Sequence, residues 1–339
     1  MKPLYKIEAN NIDVTANIRG RLISASIVDN EGVVSDSFEM VLDDRDNAII
    51  LPTFGAEIKV WLGYQSTGLE YMGLYVFDGD IRFSGPPEQI TLRATAAHVG
   101  NSSTRSDMTS LLKEKKTRSW AGVWPGKIIE AIAGEAGYEA RIFDFLMQEK
   151  EPPHYDQTGE SDLNFLKRLG DEFGAIVKPV GGYLVFAPKE KINSFTGKTI
   201  GVVSLDKKQL SSWESQWSER GRFPTVAAFW QDLNSGERKR ETAGSGDQPV
   251  SLVQGNCRDQ YAAQRAAQIE LDRINRGHRT AVFSMPGRTD LSTSNRIRIQ
   301  NLRPEYDINW SITKATHSFS DSGYKTTIEC EALDAEVSE

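Results

Sequence analysis

Three observations predict a mainly β protein with α+β parts: two small antiparallel β-barrels related by duplication, plus an α/β region. Hydrophobic alternation of period two fills both ends of the chain, a helix–hairpin block lies between them, and two distant hairpins echo each other without a gap. The expected divisions are 1–107 for the first barrel, 108–195 for the α/β region and 196–339 for the second barrel, interrupted by a helix at 258–277. At 339 residues the chain exceeds what one ordinary core organises.

Within 1–107, Ile23, Ala25 and Ile27 alternate with polar or small neighbours, as do Phe38, Met40 and Leu42. Ile58, Val60 and Leu62 form a third run, and Ile90, Leu92 and Ala94 a fourth. Such alternation turns one side of each strand to a core. "DDRDN" (43–47) and "SGPPEQ" (84–89) carry turn chemistry.

The block 108–195 is different. Pro125 suits a first helical turn and Gly137 a left-handed cap, with Ile128, Ile129, Ile132, Ala133 and Ala136 on one face between them. A second helix starts at Ser161, a capping residue, where Asp162 complements the helix dipole. Leu163, Leu166, Leu169 and Phe173 follow at helical spacing, and Gly174 stops the helix. "AIVKPV" and "YLVFA" flank Gly181 and Gly182 as a hairpin, with Pro179 placing its strand at an edge.

In 196–339, "VAAFWQDLNSGERKRET" reads as a hairpin turning near Ser235 and Gly236, and 243–256 as a surface loop. The helix at 258–277 presents Ala263, Ala267, Leu271 and Ile274 on one face. Strands resume around Ile297 and Ile299 and again over 310–332. Segment 74–96 then aligns with 310–332, matching Leu74 and Val76 to Trp310 and Ile312, and Leu92 to Ile328.

Composition narrows the function. Charged residues make up 26% and the formal net charge is −7, which does not favour sequence-specific nucleic-acid binding. No apolar run approaches the roughly 18 residues that a membrane span needs, and the N-terminus lacks a signal-like apolar core. Cys257 and Cys330 form no CxxC pair, consistent with a reducing compartment. "KEKKTR" (113–118) reads as a solvated surface segment.

"FTGKT" (195–199) lacks the upstream glycine of a phosphate loop, since Ile192 stands there. His98, His154, His278 and His317 are scattered and read as ordinary surface or half-buried histidines. Ser245 lies between glycines without a nucleophile elbow. His154, Asp156, Glu160, Asp162, Asp171 and Glu172 look like acid–base machinery, yet a capped amphipathic helix with a solvated side accounts for them. On that reading Asp162→Asn costs only a few tenths of a kcal/mol. No catalytic, cofactor-binding or metal residue is assigned, and no cofactor is expected.

The stretch "DQTGESDLNFLKRLGDEFGA" with the following "GGYLVFAPK" resembles the late control protein D family of contractile-tailed phages. "SGPPEQITLRATAA", "KEKKTRSW", "QRAAQIELDRINRG" and "WSITKATHSFSDSGYKTTIECEA" resemble further segments of that family, so the likeness runs from about residue 72 to the end. The family is similar to baseplate hubs and to the hub part of the type VI secretion valine-glycine-repeat protein. The resemblance implies a non-enzymatic homotrimer with a pseudo-sixfold ring. That ring joins a hexameric tail tube or tube-initiator protein to a trimeric tail spike, among other baseplate proteins. It implies a place in the baseplate of a virion or tail-like particle, such as a tail-derived bacteriocin, assembled in the host bacterial cytoplasm. Two other readings stand beside it. One is a tail-associated peptidoglycan hydrolase using carboxylates in 154–172; the other is a carbohydrate-binding β protein using Trp213, Trp217 and Trp230 as platforms.

Overall fold

A computed structural model describes residues 2–32, 36–96, 111–142, 154–180, 183–188, 202–218, 223–277, 279–293, 295–320 and 323–333. The protein is mainly β with α+β parts, as its periodicities predict.

The first β unit comprises β1 (Pro3–Ala9), β2 (Ile12–Asp13), the one-turn helix α1 (Thr15–Ile18), β3 (Leu22–Asn30), β4 (Ser37–Asp43), β5 (Glu57–Tyr64), β6 (Gly68–Ser84) and β7 (Gln89–Ala96). Its strands run in the order β3-β4-β7-β6-β5-β1, every neighbour antiparallel. Ile7 of β1 and Ala25 and Ile27 of β3, from the two ends of that order, share one core with Phe38, Val60, Phe77 and Leu92. The sheet therefore wraps around its own core. Ile23 departs from the expected alternation: the β3–β4 register shifts between Leu22 and Ser24, so Leu22 turns inward and Ile23 is 39% exposed.

The α/β region follows with β8 (Lys115–Trp120), α2 (Pro125–Glu135), β9 (Glu139–Ile142), β10 (Tyr155–Ser161), α3 (Asp162–Phe173), β11 (Ala175–Val180) and β12 (Tyr183–Pro188). Ser161 caps α3, its Oγ accepting from the Asn164 amide at 3.2 Å, and Gly174 ends it in the left-handed conformation. The apolar faces of α2 and α3 meet in a core with Leu184 and Phe186. Phe165 is fully buried there although the heptad-like reading of α3 passes over it.

The second β unit comprises β13 (Val202–Asp206), β14 (Ser212–Trp217), β18 (Arg279–Pro286), β19 (Arg296–Gln300), β20 (Asn309–Ser320) and β21 (Gly323–Ala332). Between β14 and β18 lie β15 (Thr225–Gln231), β16 (Arg238–Gly244), β17 (Val250–Leu252) and α4 (Gln260–Gly277). The interruption is thus larger than the helix. α4 covers a three-stranded sheet and shares with it a separate core of Val226, Ala228, Ala243, Ala263 and Ala267. The supposed surface loop 243–256 contains β17, which pairs in parallel with β15.

The second unit repeats the strand order of the first. It runs β14-β18-β21-β20-β19-β13, matching β3-β4-β7-β6-β5-β1 strand for strand. One pairing differs: β13 is parallel to β19, whereas β1 is antiparallel to β5. Leu92 and Ile328 are both buried inward in their respective cores. The ungapped match needs one correction. By ladder position Tyr75 and Phe77, opposite Ala96 and Ala94, correspond to Trp310 and Ile312, opposite Ala332 and Cys330. The cause is unequal bulges: β6 accommodates Asp78 and Gly79 where β20 accommodates Thr313 alone.

Candidate functional site at the junction of the β units

The two units join through β20, which changes partner along its length. Asn309–Ser311 pair with β19, and Lys314–Ser320 pair antiparallel with Ser24–Asn30 of β3. The β20/β21 hairpin also delivers Phe319 and Tyr324 into the first unit's core. Phe319 lies 5.2 Å from the Tyr5 ring, and Tyr324 lies 5.7 Å from that of Tyr64. Gly287 permits this approach, because a Cβ there would collide with the Tyr324 ring.

His317, expected at or near the surface, is 2% exposed inside this junction. Its Nε2 is 3.0 Å from the Leu291 carbonyl, which can only accept, so Nε2 carries the proton. Nδ1 then accepts from the Tyr324 hydroxyl at 2.9 Å. Burial lowers the imidazole pKa and keeps the ring neutral. His154 is exposed, its Nε2 3.1 Å from Asp156. His98 and His278 lie outside the described residues.

A half-buried ionic clasp binds the α/β region to the same junction. Lys178 of β11 donates to Asp29 at 2.8 Å and to the Asn30 carbonyl at 2.8 Å, and lies 3.4 Å from Asp36. Thr293, from the β18–β19 connection, donates its amide and hydroxyl to Asp29 at 2.8 and 2.9 Å. Burial pushes the Lys178 pKa down, but the two carboxylates outweigh it and hold the ammonium above its ordinary value. For Asp29, burial is likewise outweighed by Lys178 and the Thr293 donors, and its carboxyl sits below the usual range. Asp36 is less well compensated, and burial raises it to about 6. The clasp was legible only as a charge inside the apolar "AIVKPV" strand; its partners are remote in sequence.

The acidic stretch that first looked catalytic is distributed among separate cations. Asp162 is 1% exposed, not solvated. Lys116 and Arg118 donate to it at 2.7 and 2.5 Å, and Gln157 at 2.8 Å. Both cations also reach Glu135, at 3.1 and 2.7 Å. The "KEKKTR" segment therefore supplies two half-buried cations to one buried carboxylate, since β8 turns Lys116 and Arg118 to the same side. Removing one partner from such a set costs about 3 kcal/mol, so Asp162→Asn is far from mild. Glu160 meets Arg168 at 2.6 Å, and Glu172 accepts from Tyr155 at 3.0 Å and Arg265 at 3.2 Å. Asp171 and Glu172 border an open groove between α3 and α4 that Cys257 and Arg265 also line.

Other candidate residues are scattered. The 195–199 stretch lies outside the described residues, and Ser245 is exposed in a turn. The Arg279 guanidinium covers Trp217, Trp213 lies against Tyr306, and Trp230 bonds Glu241. The three tryptophans form no single platform: two stand on β14 and the third in the insertion. Among the described residues no group of three or more His, Cys, Asp or Glu side chains is placed to hold a metal ion, and no helix is long and apolar enough to cross a membrane.

Residues 105–323 match the phage tail baseplate hub (GPD) family. The chain belongs to this family. As a baseplate hub protein it is 28% identical to the probable baseplate hub protein of Escherichia phage 186, over 383 residues that take in 99% of this chain and 95% of the phage protein. Its fold is similar to the 43 kDa tail protein of prophage MuSo2 from Shewanella oneidensis, with a TM-score of 0.68, 15% identity and coverage of 99% and 98% of the two chains. It is also similar to a component of the E. coli type VI secretion system, with a TM-score of 0.55, 11% identity and coverage of 93% and 74%. The hub is a structural protein of a phage tail baseplate, and its place is the virion tail.

Proposed function

We propose that three copies of this hub close into a ring of six like β units joining a hexameric tail tube or tube initiator to a trimeric spike. Other baseplate proteins bind around it. The observation that carries this reading is the repeated strand order of the two units. A threefold object meets a sixfold one without strain when each of three chains offers the same surface twice. We keep 1–107, 108–195 and 196–339 as the domain division, with the insertion in the last reaching from β15 to α4. Two free cysteines support assembly in the host bacterial cytoplasm, before release into an oxidising medium.

The hub acts without catalysis on this reading. Glu160, Asp162 and Glu172 are each engaged by a basic side chain on a different part of the α/β region or on α4, so each carboxylate has a structural partner and no two of them share one. Native mass spectrometry of hub co-expressed with its spike should show three hub copies; a stable dimer or a closed hexamer would overturn the ring. A zymogram on cell-wall substrate separates the hydrolase reading. Clearing that is lost in Glu160→Gln or Glu172→Gln with the fold intact would establish catalysis instead.

A further inference from the structure

We infer that neighbouring hub chains join by strand addition, the β6 edge of one pairing antiparallel with β14 of the next. The join reproduces between chains the β20–β3 join made within each chain. The inference rests on the ring reading above and specifies how the ring closes.

Strand equivalence carries it. β20 corresponds to β6, and β3 to β14. Within the chain, β20 beyond its bulge pairs with β21 on one side and β3 on the other. β6 beyond its bulge, Asp80–Ser84, pairs with β7 on one side, and among the described residues no strand pairs with its other edge. β14 likewise pairs with β18 alone and ends the long sheet. Two strand edges, each satisfied in one half of a duplicated molecule, are thus open in the other half. Open edges invite pairing with another chain.

The ladders also set the register. Asp80, Ile81, Arg82 and Phe83 stand opposite Arg93, Leu92, Thr91 and Ile90, as Lys314, Ala315, Thr316 and His317 stand opposite their equivalents in β21. Through β4 and β18, Ala25 and Ile27 correspond to Trp213 and Ser215. Transferring the β20–β3 register then places Ile81 opposite Trp217, Arg82 opposite Gln216, Phe83 opposite Ser215 and Ser84 opposite Glu214.

The side chains suit that register. Ile81 and Phe83 share the face of the inward Leu92 and Ile90, and Trp213 and Trp217 lie on the matching face of β14. Phe83 is 65% exposed, Trp213 39% and Trp217 44%, so the pairing covers apolar surface that the single chain leaves in water. On the opposite face Arg82 falls beside Glu214, an opposite-charge diagonal.

Disulfide trapping tests this on the full chain co-expressed with its spike. R82C/Q216C and F83C/S215C, oxidised mildly, should each give covalent dimers and then trimers on a non-reducing gel. The single variants and the slipped pair R82C/S215C should not. R82E and E214R should each lower trimer yield severalfold, and R82E/E214R should restore it. Trimers seen by native mass spectrometry without cross-links in either designed pair would overturn strand addition while leaving the ring intact. A chain that stays monomeric and uncross-linked beside its spike would overturn both.

Discussion

The β6/β7 and β20/β21 hairpins occupy the same place in two sheets of the same strand order, and they end differently. The second hairpin carries the longer paired ladder, and its tip buries Phe319 and Tyr324 in the neighbouring unit's core. The first ends in exposed Phe83, with an edge that no described strand meets. One ladder thus serves as a permanent joint in one copy and stands open in the other. Duplication repeats a surface; what each copy meets depends on whether a partner lies on the same chain.

A large effect is expected at Lys178, whose clasp holds β3 of the first unit. Lys178→Met leaves the half-buried Asp29 and Asp36 side by side without their cation and should cost about 3 kcal/mol in chemical denaturation. A loss under about 1 kcal/mol would show the clasp to be incidental. Comparable are the matched core residues: Leu92→Ala and Ile328→Ala should each cost about 2–5 kcal/mol. A marked disparity between them would mean that the two positions are not equivalent.

A smaller effect follows from Asp36. Its folded pKa, about 6, lies above its ordinary value of 3.8. A raised carboxyl contributes stability below pH 4, where it is protonated in both states, and that contribution is lost as pH rises through 6. Asp36→Asn never ionises, so it should gain on wild type by about 2 kcal/mol between pH 4 and pH 7. Taking the difference isolates Asp36 from His317, whose depressed pKa acts in the opposite sense. A flat difference across that range would refute the assignment. The smallest effects separate the two outward threonines. Thr327 shares a 3.0 Å hydrogen bond with Ser284, so Thr327→Ala should cost about 1 kcal/mol. Thr91→Ala should stay within about 0.5 kcal/mol in thermal melts of the free chain.

Local patterns carried most of the fold into the sequence. The α2 face, the Ser161 cap, the Gly174 stop and the inward runs of β4, β5 and β7 were all readable, because each depends on neighbours a few residues away. What escaped depends on distant partners. Ile23 faces outward because of a bulge defined by β4. β17 is a strand only because β15 lies beside it. Asp162 looked like a dipole-complementing surface acid because Lys116 and Arg118 are 46 and 44 positions away. The Lys178 clasp spans 149 positions to Asp29 and 115 to Thr293. The hub assignment was readable from motif likeness in the α3 stretch. The surfaces a hub uses were not, since a free strand edge is a property of the assembled sheet.

The partner change of β20 has a mechanical consequence. One strand, bulged at Thr313, belongs to both units, so no separate linker at this joint can act as a hinge. Interstrand hydrogen bonds run perpendicular to the strands. A pull along β20 would therefore strain all seven pairings with β3 at once, in shear, whereas peeling would have to open them one after another. Rotation of one unit against the other would also have to withdraw Phe319 and Tyr324 from a foreign core. The β20–β3 joint should therefore resist shear far better than peeling.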